Sequence, residues 1–236
     1  MGAGSEWEGE AGNWLRWART EGHDAYWAYR RPFFETIVPA PGARTVEVGC
    51  GEGRVSRDLS ARGHRTVGID LSPTLLRHAR DADPDGTYLL ADGSALPLAD
   101  ASCDIVVAYN SLMDIADMDA AVAEASRVLV PGGRLCVCVT HPMSNTGRFD
   151  TSEADASFVV TETYFGRRRF EGVEARDGLT MTFRGWSYPL EDYARAFERA
   201  GLLIELVREP LPDATAPHLL RWRRVPLFLH LRAVRS

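Results

Sequence analysis

"VEVGCGEGR", residues 46–54, runs a short strand-forming stretch into three glycines set two apart, Gly49, Gly51 and Gly53, and places an acid, Glu47, inside the strand. Glycine adopts backbone conformations closed to other residues and lets the main chain approach a ligand closely, while a helix that follows offers unpaired N–H groups. The stretch therefore predicts a strand-to-helix turn that holds a ligand. Its spacing misses the dinucleotide fingerprint G-x-G-x-x-G, because the third residue after Gly51 is Arg54. Glu47 would also repel a pyrophosphate. The turn points instead to a ligand with a positive group beside it.

Outward from the turn, the apolar stretches "RTVEVG", "RTVGID", "TYLLADG", "CDIVVAYN" and "RLCVCVTHP" alternate with the helical patterns "EGRVSRDLSARG", "SPTLLRHARDA" and "DAAVAEASRVLVPGG". Such alternation predicts crossover units and a parallel sheet covered by helices on both faces. Ser72 is expected to cap a helix opening with Pro73, and "PGG" at 131–133 to stop a later one. Beyond residue 142, "SFVVTETYF" and "GLTMTFRGWSY" predict two strands joined by a polar, arginine-rich segment. "PLEDYARAFERAG" follows as an amphipathic helix, and "LLIELVREP" and "VPLFLHLRAV" as two further strands. The expected fold class is α/β: a doubly wound, mostly parallel seven-stranded sheet with helices on both faces, plus an inserted antiparallel β segment. Ahead of it, Trp14, Trp17, Tyr26, Trp27, Tyr29, Phe33 and Phe34 predict two short aromatic helices, interrupted at Gly22 and Pro32, that either pack or cover a cleft.

With 236 residues, 45% of them hydrophobic, the chain can bury one substantial core. A net charge of −6 argues against a nucleic-acid backbone as the main partner. No apolar run approaches the roughly 20 residues of a membrane span, and the acidic start "MGAGSEWEGE" lacks the apolar core of a signal peptide, so a cytoplasmic location is expected. Cys50, Cys103, Cys136 and Cys138 form no C-x-x-C pair; they are expected to be buried, and no metal is expected. All 27 basic residues are arginine and none is lysine, a bias of composition that lowers the weight of arginine runs. "GRRRF" and "RWRR" are accordingly expected to be solvated faces.

Asp70 closes the second strand about 20 residues beyond the glycines, where a carboxylate can take both hydroxyls of a ribose. Asp92, in "LLADGSALPL", ends the third. The series "VEVGCGEGR", "GIDLSP", "ADGSALPL", "CDIVVAYN" and "VLVPGGRLCV" resembles, in this order, the motifs of class I S-adenosylmethionine-dependent methyltransferases, over about residues 44–142. The resemblance implies S-adenosylmethionine as cofactor and S-adenosylhomocysteine as product. It places Gly49, Gly51 and Gly53 under the methionine moiety, Glu47 toward its ammonium, Asp70 on the ribose, Asp92 near the adenine, and Asn110 and Ser111 beside the amino acid part. Cys50, Leu71, Gly93 and Ser94 complete the implied cofactor set. Two positions depart from the family pattern: Cys103, where phenylalanine is frequent, and "SLMDIAD" after Asn110, in which Asp114 either faces substrate or caps a helix.

The organisation this implies is a helical lid over 1–40, a cofactor-binding core over 41–142, a β substrate cover over 143–188 and the rest of the core over 189–236. A sulfonium methyl is already electrophilic, so the chain needs in-line positioning and, for a protonated nucleophile, one base. His141 follows the fifth strand and precedes Pro142, which makes it the first candidate base, with loop positioning or substrate binding as the alternative role. His23 is the second; His64, His78, His218 and His230 are expected to be structural or exposed. Tyr26, Tyr29, Met113, Asp114 and Trp186 are the expected substrate contacts, with Phe158, Tyr164 and Phe183 as further walls. The expected activity is methylation of an O, N or C nucleophile on a small, partly hydrophobic metabolite, of the kind that tailors secondary metabolites. An RNA or protein methyltransferase, and a protein that binds S-adenosylmethionine without methylating, are the competing readings.

Overall fold

In the computed structural model, which describes residues 3–213 and 215–236, two helices precede the first strand: α1 (Ala3–Arg19) and α2 (Tyr26–Pro32). Gly22 lies in the break between them, as expected, but Pro32 does not end the helical path. A wider turn, Phe33–Ile37, continues it and closes with the Val38 N–H on the Phe33 carbonyl at 3.2 Å. The crossover units follow: β1 (Thr45–Val48), α3 (Arg54–Ser60), β2 (Thr66–Asp70), α4 (Pro73–Ala82), β3 (Thr87–Leu90), β4 (Cys103–Tyr109), α5 (Met118–Val128) and β5 (Leu129–Thr140). Ser72 caps α4, its Oγ accepting the Leu75 N–H at 3.1 Å, with Pro73 opening the helix.

"PGG" does not stop α5. The helix ends earlier, at Val128, and Pro131, Gly132 and Gly133 lie inside β5. Proline biases the residue before it, Val130, toward extended backbone, which favours a strand at that point.

Beyond β5, β6 (Gly147–Phe149) pairs with β7 (Phe158–Val160), and β8 (Arg168–Arg176) with β9 (Leu179–Ser187), both antiparallel. The arginine-rich segment expected to be a connector is thus itself a strand, and "SFVVTETYF" contributes only three strand residues. The hairpin turn is "DG": Asp177 and Gly178 both have positive φ, 49° and 77°, as a two-residue turn that matches the strand twist requires. Then come α6 (Leu190–Arg199), β10 (Leu202–Arg208), the short α7 (Pro217–Leu220) and β11 (Phe228–Arg235).

The main sheet has seven strands in the order β10-β11-β5-β4-β1-β2-β3, parallel except for β11, which is antiparallel to both its neighbours. Period-two alternation sorts its side chains onto two buried faces. Val46, Val48, Val106, Val137 and Leu231 pack with Tyr193 and Phe197 of α6 and with α5. Ile105, Val107, Tyr109, Cys136 and Cys138 pack with Tyr26, Tyr29, Phe33 and Ile37 and with Leu59 of α3. Each face by itself carries a full apolar layer, which is why the strands read as near-continuous apolar runs. Among the described residues no helix is long and apolar enough to cross a membrane.

Candidate active site

Crossovers leave β1 in opposite directions, to β2 and β3 on one side and to β4 and β5 on the other. Such a reversal opens a crevice at the carboxyl ends of the strands. A cavity of about 840 Å³ begins there. Glu47, Gly49, Cys50, Gly51, Asp70, Leu71, Asp92, Gly93, Asn110, Ser111, Met113 and Asp114 line one side of it. Trp7, Trp14 and Trp17 of α1, Phe170 and Phe183 of the β8–β9 hairpin, and Phe149 and Trp222 line the rest. Most of the expected cofactor set is therefore gathered in one place. Gly53 and Ser94 are not in the lining: Gly53 precedes α3 and backs onto Tyr88, and Ser94 gives its N–H and hydroxyl to Asp92 Oδ1.

The glycine turn is closed from two directions. At Gly49, φ is +74°, and a Cβ there would lie 2.3 Å from the Ser111 Cβ. Ser111 in turn donates its hydroxyl to the Val48 carbonyl at 2.6 Å, locking the end of β4 against the end of β1. Asp70 accepts the Gly51 N–H on Oδ2 and the Ser72 N–H on Oδ1, each at 2.8 Å. A carboxylate has about four acceptor positions, so Asp70 keeps capacity for a ligand's hydroxyls. Burial pushes its pKa above the usual range despite these bonds.

Glu47 points from the middle of β1 toward α3, where the Ser56 hydroxyl donates to it at 2.5 Å. Burial, with a contribution from the charge of Asp70, pushes its pKa up to about 8. Asn110 holds the left-handed backbone region at φ 51°, a conformation that costs energy and concentrates at functional sites.

Asp114 does not cap α5. Asp117 does, accepting the Ala120 N–H at 2.9 Å. Asp114 instead ends a 3₁₀ turn, Leu112–Asp114, and faces the cavity with no side-chain hydrogen bond among the described residues. Burial, and the negative charge of Asp70, push its pKa well above the usual carboxylate range.

The two histidine candidates fare differently from the acids. His141 is not part of the cavity lining. Its Nδ1 accepts the Met143 N–H at 3.0 Å and its Nε2 lies 3.0 Å from Glu209 Oε1, so it ties the end of β5 to the loop after β10. Burial lowers its pKa. His23 does line the cavity, but Nδ1 faces the Glu21 carbonyl and Nε2 the Arg176 carbonyl, each at 3.2 Å, which leaves neither nitrogen directed at a substrate.

Nor does the structure bring Tyr26, Tyr29 or Trp186 to the cavity. Tyr26 donates its hydroxyl to Asp58 at 2.6 Å, Tyr29 packs edge-on against Phe228, and Trp186 lies under Arg169. Of the other expected walls, Phe183 lines the cavity; Phe158 packs edge-on against Phe149, and the Tyr164 oxygen accepts the Leu190 N–H.

Residues that the sequence reading missed include Arg54, whose guanidinium is 4.9 Å from the Trp14 ring centre and 4.4 Å from that of Tyr26, paired with Asp24. They also include Phe149, Arg176, His218, Arg221 and Trp222. The one available signal was Trp222 set among arginines in "RWRR". Among the described residues there is no cluster of three or more His, Cys, Asp or Glu that could hold a metal ion.

Residues 46–137 match a family model described as a methyltransferase domain. The chain is 34% identical over 123 residues to the demethylmenaquinone methyltransferase of Tropheryma whipplei (strain Twist), covering 50% of each. It is 40% identical over 115 residues to the malonyl-(acyl-carrier protein) O-methyltransferase of Serratia marcescens, covering 47% of this chain and 45% of that one. The chain thus spans about half the length of the curated relatives it matches. Among solved structures, an S-adenosylmethionine dependent methyltransferase from Mesorhizobium loti superposes with a TM-score of 0.69 at 26% identity, over 90% of this chain and 98% of that one.

Proposed function

We propose that this chain, whose residues 46–137 match a methyltransferase-domain family model, is a class I S-adenosylmethionine-dependent enzyme that moves the cofactor's methyl group to an O, N or C nucleophile of a small, partly hydrophobic metabolite. One observation supports this above the others: Glu47 inside β1, Asp70 at the end of β2, Asp92 just beyond β3 and a glycine turn open into a single cavity with aromatic walls.

The residues fit the cofactor. A Cβ at Gly51 would meet only Trp14 Nε1, at 3.8 Å, so the turn presents bare backbone to the cavity. Gly49 to Gly51 and Glu47 would hold the methionine part, Asp70 the ribose and Asp92 the adenine. When bound, the cofactor supplies an electrophilic sulfonium methyl. The chain's own task is then to orient the acceptor and to take its proton. Asp114 is the cavity-facing carboxylate suited to that, since it makes no side-chain hydrogen bond among the described residues, and a cation in the same cavity favours its carboxylate form.

Calorimetric titration with S-adenosylmethionine, S-adenosylhomocysteine and NADH tests the proposal. Both adenosyl ligands are expected to bind and NADH is not. Asp70→Ala is expected to weaken S-adenosylhomocysteine ten- to hundredfold, because hydrogen bonds to a charged group contribute about 1.5–3 kcal/mol. Binding of NADH alone would sink the proposal.

Glu47 gives a second expected result. In the ligand-free protein its pKa is raised, so its contribution to stability is complete below the ordinary glutamate pKa of 4.5 and is lost as pH rises through about 8. A ligand ammonium beside it reverses the preference and favours the carboxylate. Binding of S-adenosylhomocysteine at pH 7 should therefore release up to about one proton, read from the dependence of the binding enthalpy on buffer ionisation. Glu47→Gln should abolish that release; an unchanged release in the variant would show that the proton comes from elsewhere.

A further inference from the structure

Five arginines line the cavity: Arg54, Arg148, Arg176, Arg184 and Arg221. Arg54 pairs with Asp24, and Arg184 with Glu10 and Glu171. The other three have no carboxylate within ion-pair distance among the described residues. Arg176 and Arg221 share a wall with His218, and the Arg176 Nη1 is 3.4 Å from the His218 Nε2. Arg221 gives Nη1 to the Thr151 carbonyl at 3.0 Å and stacks 5.1 Å from the Phe149 ring centre. Its Nε is buried with no partner among the described residues. Arg176 gives Nη1 to the Gly22 carbonyl. One carboxylate, Glu174, faces the cavity nearby, beyond ion-pair distance of either guanidinium. Cations gathered without counter-ions in a partly enclosed space repel one another, and a bound anion relieves that repulsion. Burial and the two guanidiniums together also hold His218 below its ordinary pKa.

This wall belongs to β8 and to residues 218–222, not to β1, the ends of β2 and β3 and the turn after β4, which carry Glu47, Asp70, Asp92 and Asp114. The cavity therefore has an acidic side, suited to the ammonium, sulfonium and hydroxyls of the cofactor, and a separate basic side formed by Arg176 and Arg221. We propose that Arg176 and Arg221 bind an oxyanion of the methyl acceptor, so that the substrates of this enzyme are organic acids whose carboxylate or phosphate is an anchor remote from the methylated atom. The inference rests on the methyl-transfer reading for which molecule is anchored, but the anion site itself is measurable without turnover. Phe149 and Trp222, whose rings meet at 4.8 Å, give the anchored molecule an apolar surface beside its charge.

The test is calorimetric titration of the S-adenosylhomocysteine-loaded protein with inorganic phosphate, benzoate, phenyl phosphate and neutral benzamide. It is done on the unaltered chain, on Arg176→Gln, on Arg221→Gln, and on Arg195→Gln, an exposed pair partner of Glu191 on α6, as control. At least one anion is expected to bind about tenfold or more tightly than benzamide, in keeping with charge-assisted bonds to guanidinium. That preference should be lost in both cavity variants and kept in Arg195→Gln. Whether benzoate or phenyl phosphate binds more tightly identifies the anchor as carboxylate or phosphate. Anions that bind no better than benzamide, or a preference that survives both cavity substitutions, would overturn the proposal. If a cavity variant does not fold, the anion-to-benzamide contrast in the unaltered chain decides. Loss of S-adenosylhomocysteine binding would count against the methyl-transfer reading instead, and the anion contrast would still be readable on the unloaded protein.

Discussion

Asparagine at position 114 is expected to slow methyl transfer about a thousandfold while leaving S-adenosylhomocysteine affinity within about twofold, because positioned proton acceptors typically contribute 10²–10⁴ in rate. The side chain keeps its shape in Asp114→Asn and loses only the capacity to take a proton. Since Asp114 makes no side-chain hydrogen bond among the described residues, the substitution breaks no structural bond. It also removes the burial of an ionisable group, so the fold should be no less stable. Single-turnover rates with an oxygen or ammonium acceptor, measured between pH 6 and 9, are the check. The unaltered enzyme should lose rate as pH falls through the raised pKa of Asp114, and the variant should lose that limb of the profile. A loss under about tenfold with the limb intact would remove Asp114 from the chemistry.

The second large effect is expected at Gly49. Alanine there must hold φ near +74° and place a Cβ 2.3 Å from that of Ser111, an overlap in which both partners sit on constrained backbone. Left-handed alanine by itself costs about 1 kcal/mol. With the displaced end of β4 added, the expected loss is about 2–4 kcal/mol, in the range of strained backbone positions, or a fall in Tm of about 5–12 °C for a chain of this length. Cofactor binding should be lost as well. Gly51→Ala is the contrast: its φ is +55° but its Cβ meets nothing closer than 3.8 Å, so stability should fall by only about 1 kcal/mol while a methyl group intrudes on the ligand. Thermal denaturation and calorimetry on the two variants separate these effects. Equal Tm losses would show that the contact with Ser111 does not matter.

The parts of this protein that could be read from sequence are those set by local chemistry. The glycine turn, the acids at successive strand ends and the apolar strands alternating with helices depend on neighbours a few residues away, and the sheet and one side of the cavity followed from them. The hairpin of β8 and β9 was also encoded locally, in "ARDGL", but its arginines hid the period-two pattern on which a strand reading rests. His141 could not be judged from "VTHP", because its partner Glu209 is 68 residues away and only the folded chain brings them together. The aromatic N-terminal segment divides for a similar reason: Trp14 and Trp17 reach the cavity, while Tyr26 and Tyr29 lie on the sheet with the buried face of α2. Of the basic wall, Arg221 stands in the run "RWRR", which carries little weight in a chain without lysine, and Arg176 stands in no run at all. What sets them apart is that no carboxylate among the described residues lies within ion-pair distance of either, a property of the fold alone.

Helix α1 contributes Trp7, Trp14 and Trp17 to the cavity, and its Glu8 accepts the hydroxyls of Ser72 and Thr74 at the start of α4, each at 2.5 Å. Docking of the helix and filling of the cavity are therefore linked equilibria. By reciprocity, a ligand that rests on these tryptophans strengthens the docking of α1 by the same factor by which docked α1 strengthens the ligand. Any third molecule that competes for α1 would accordingly tune affinity inside the cavity without entering it.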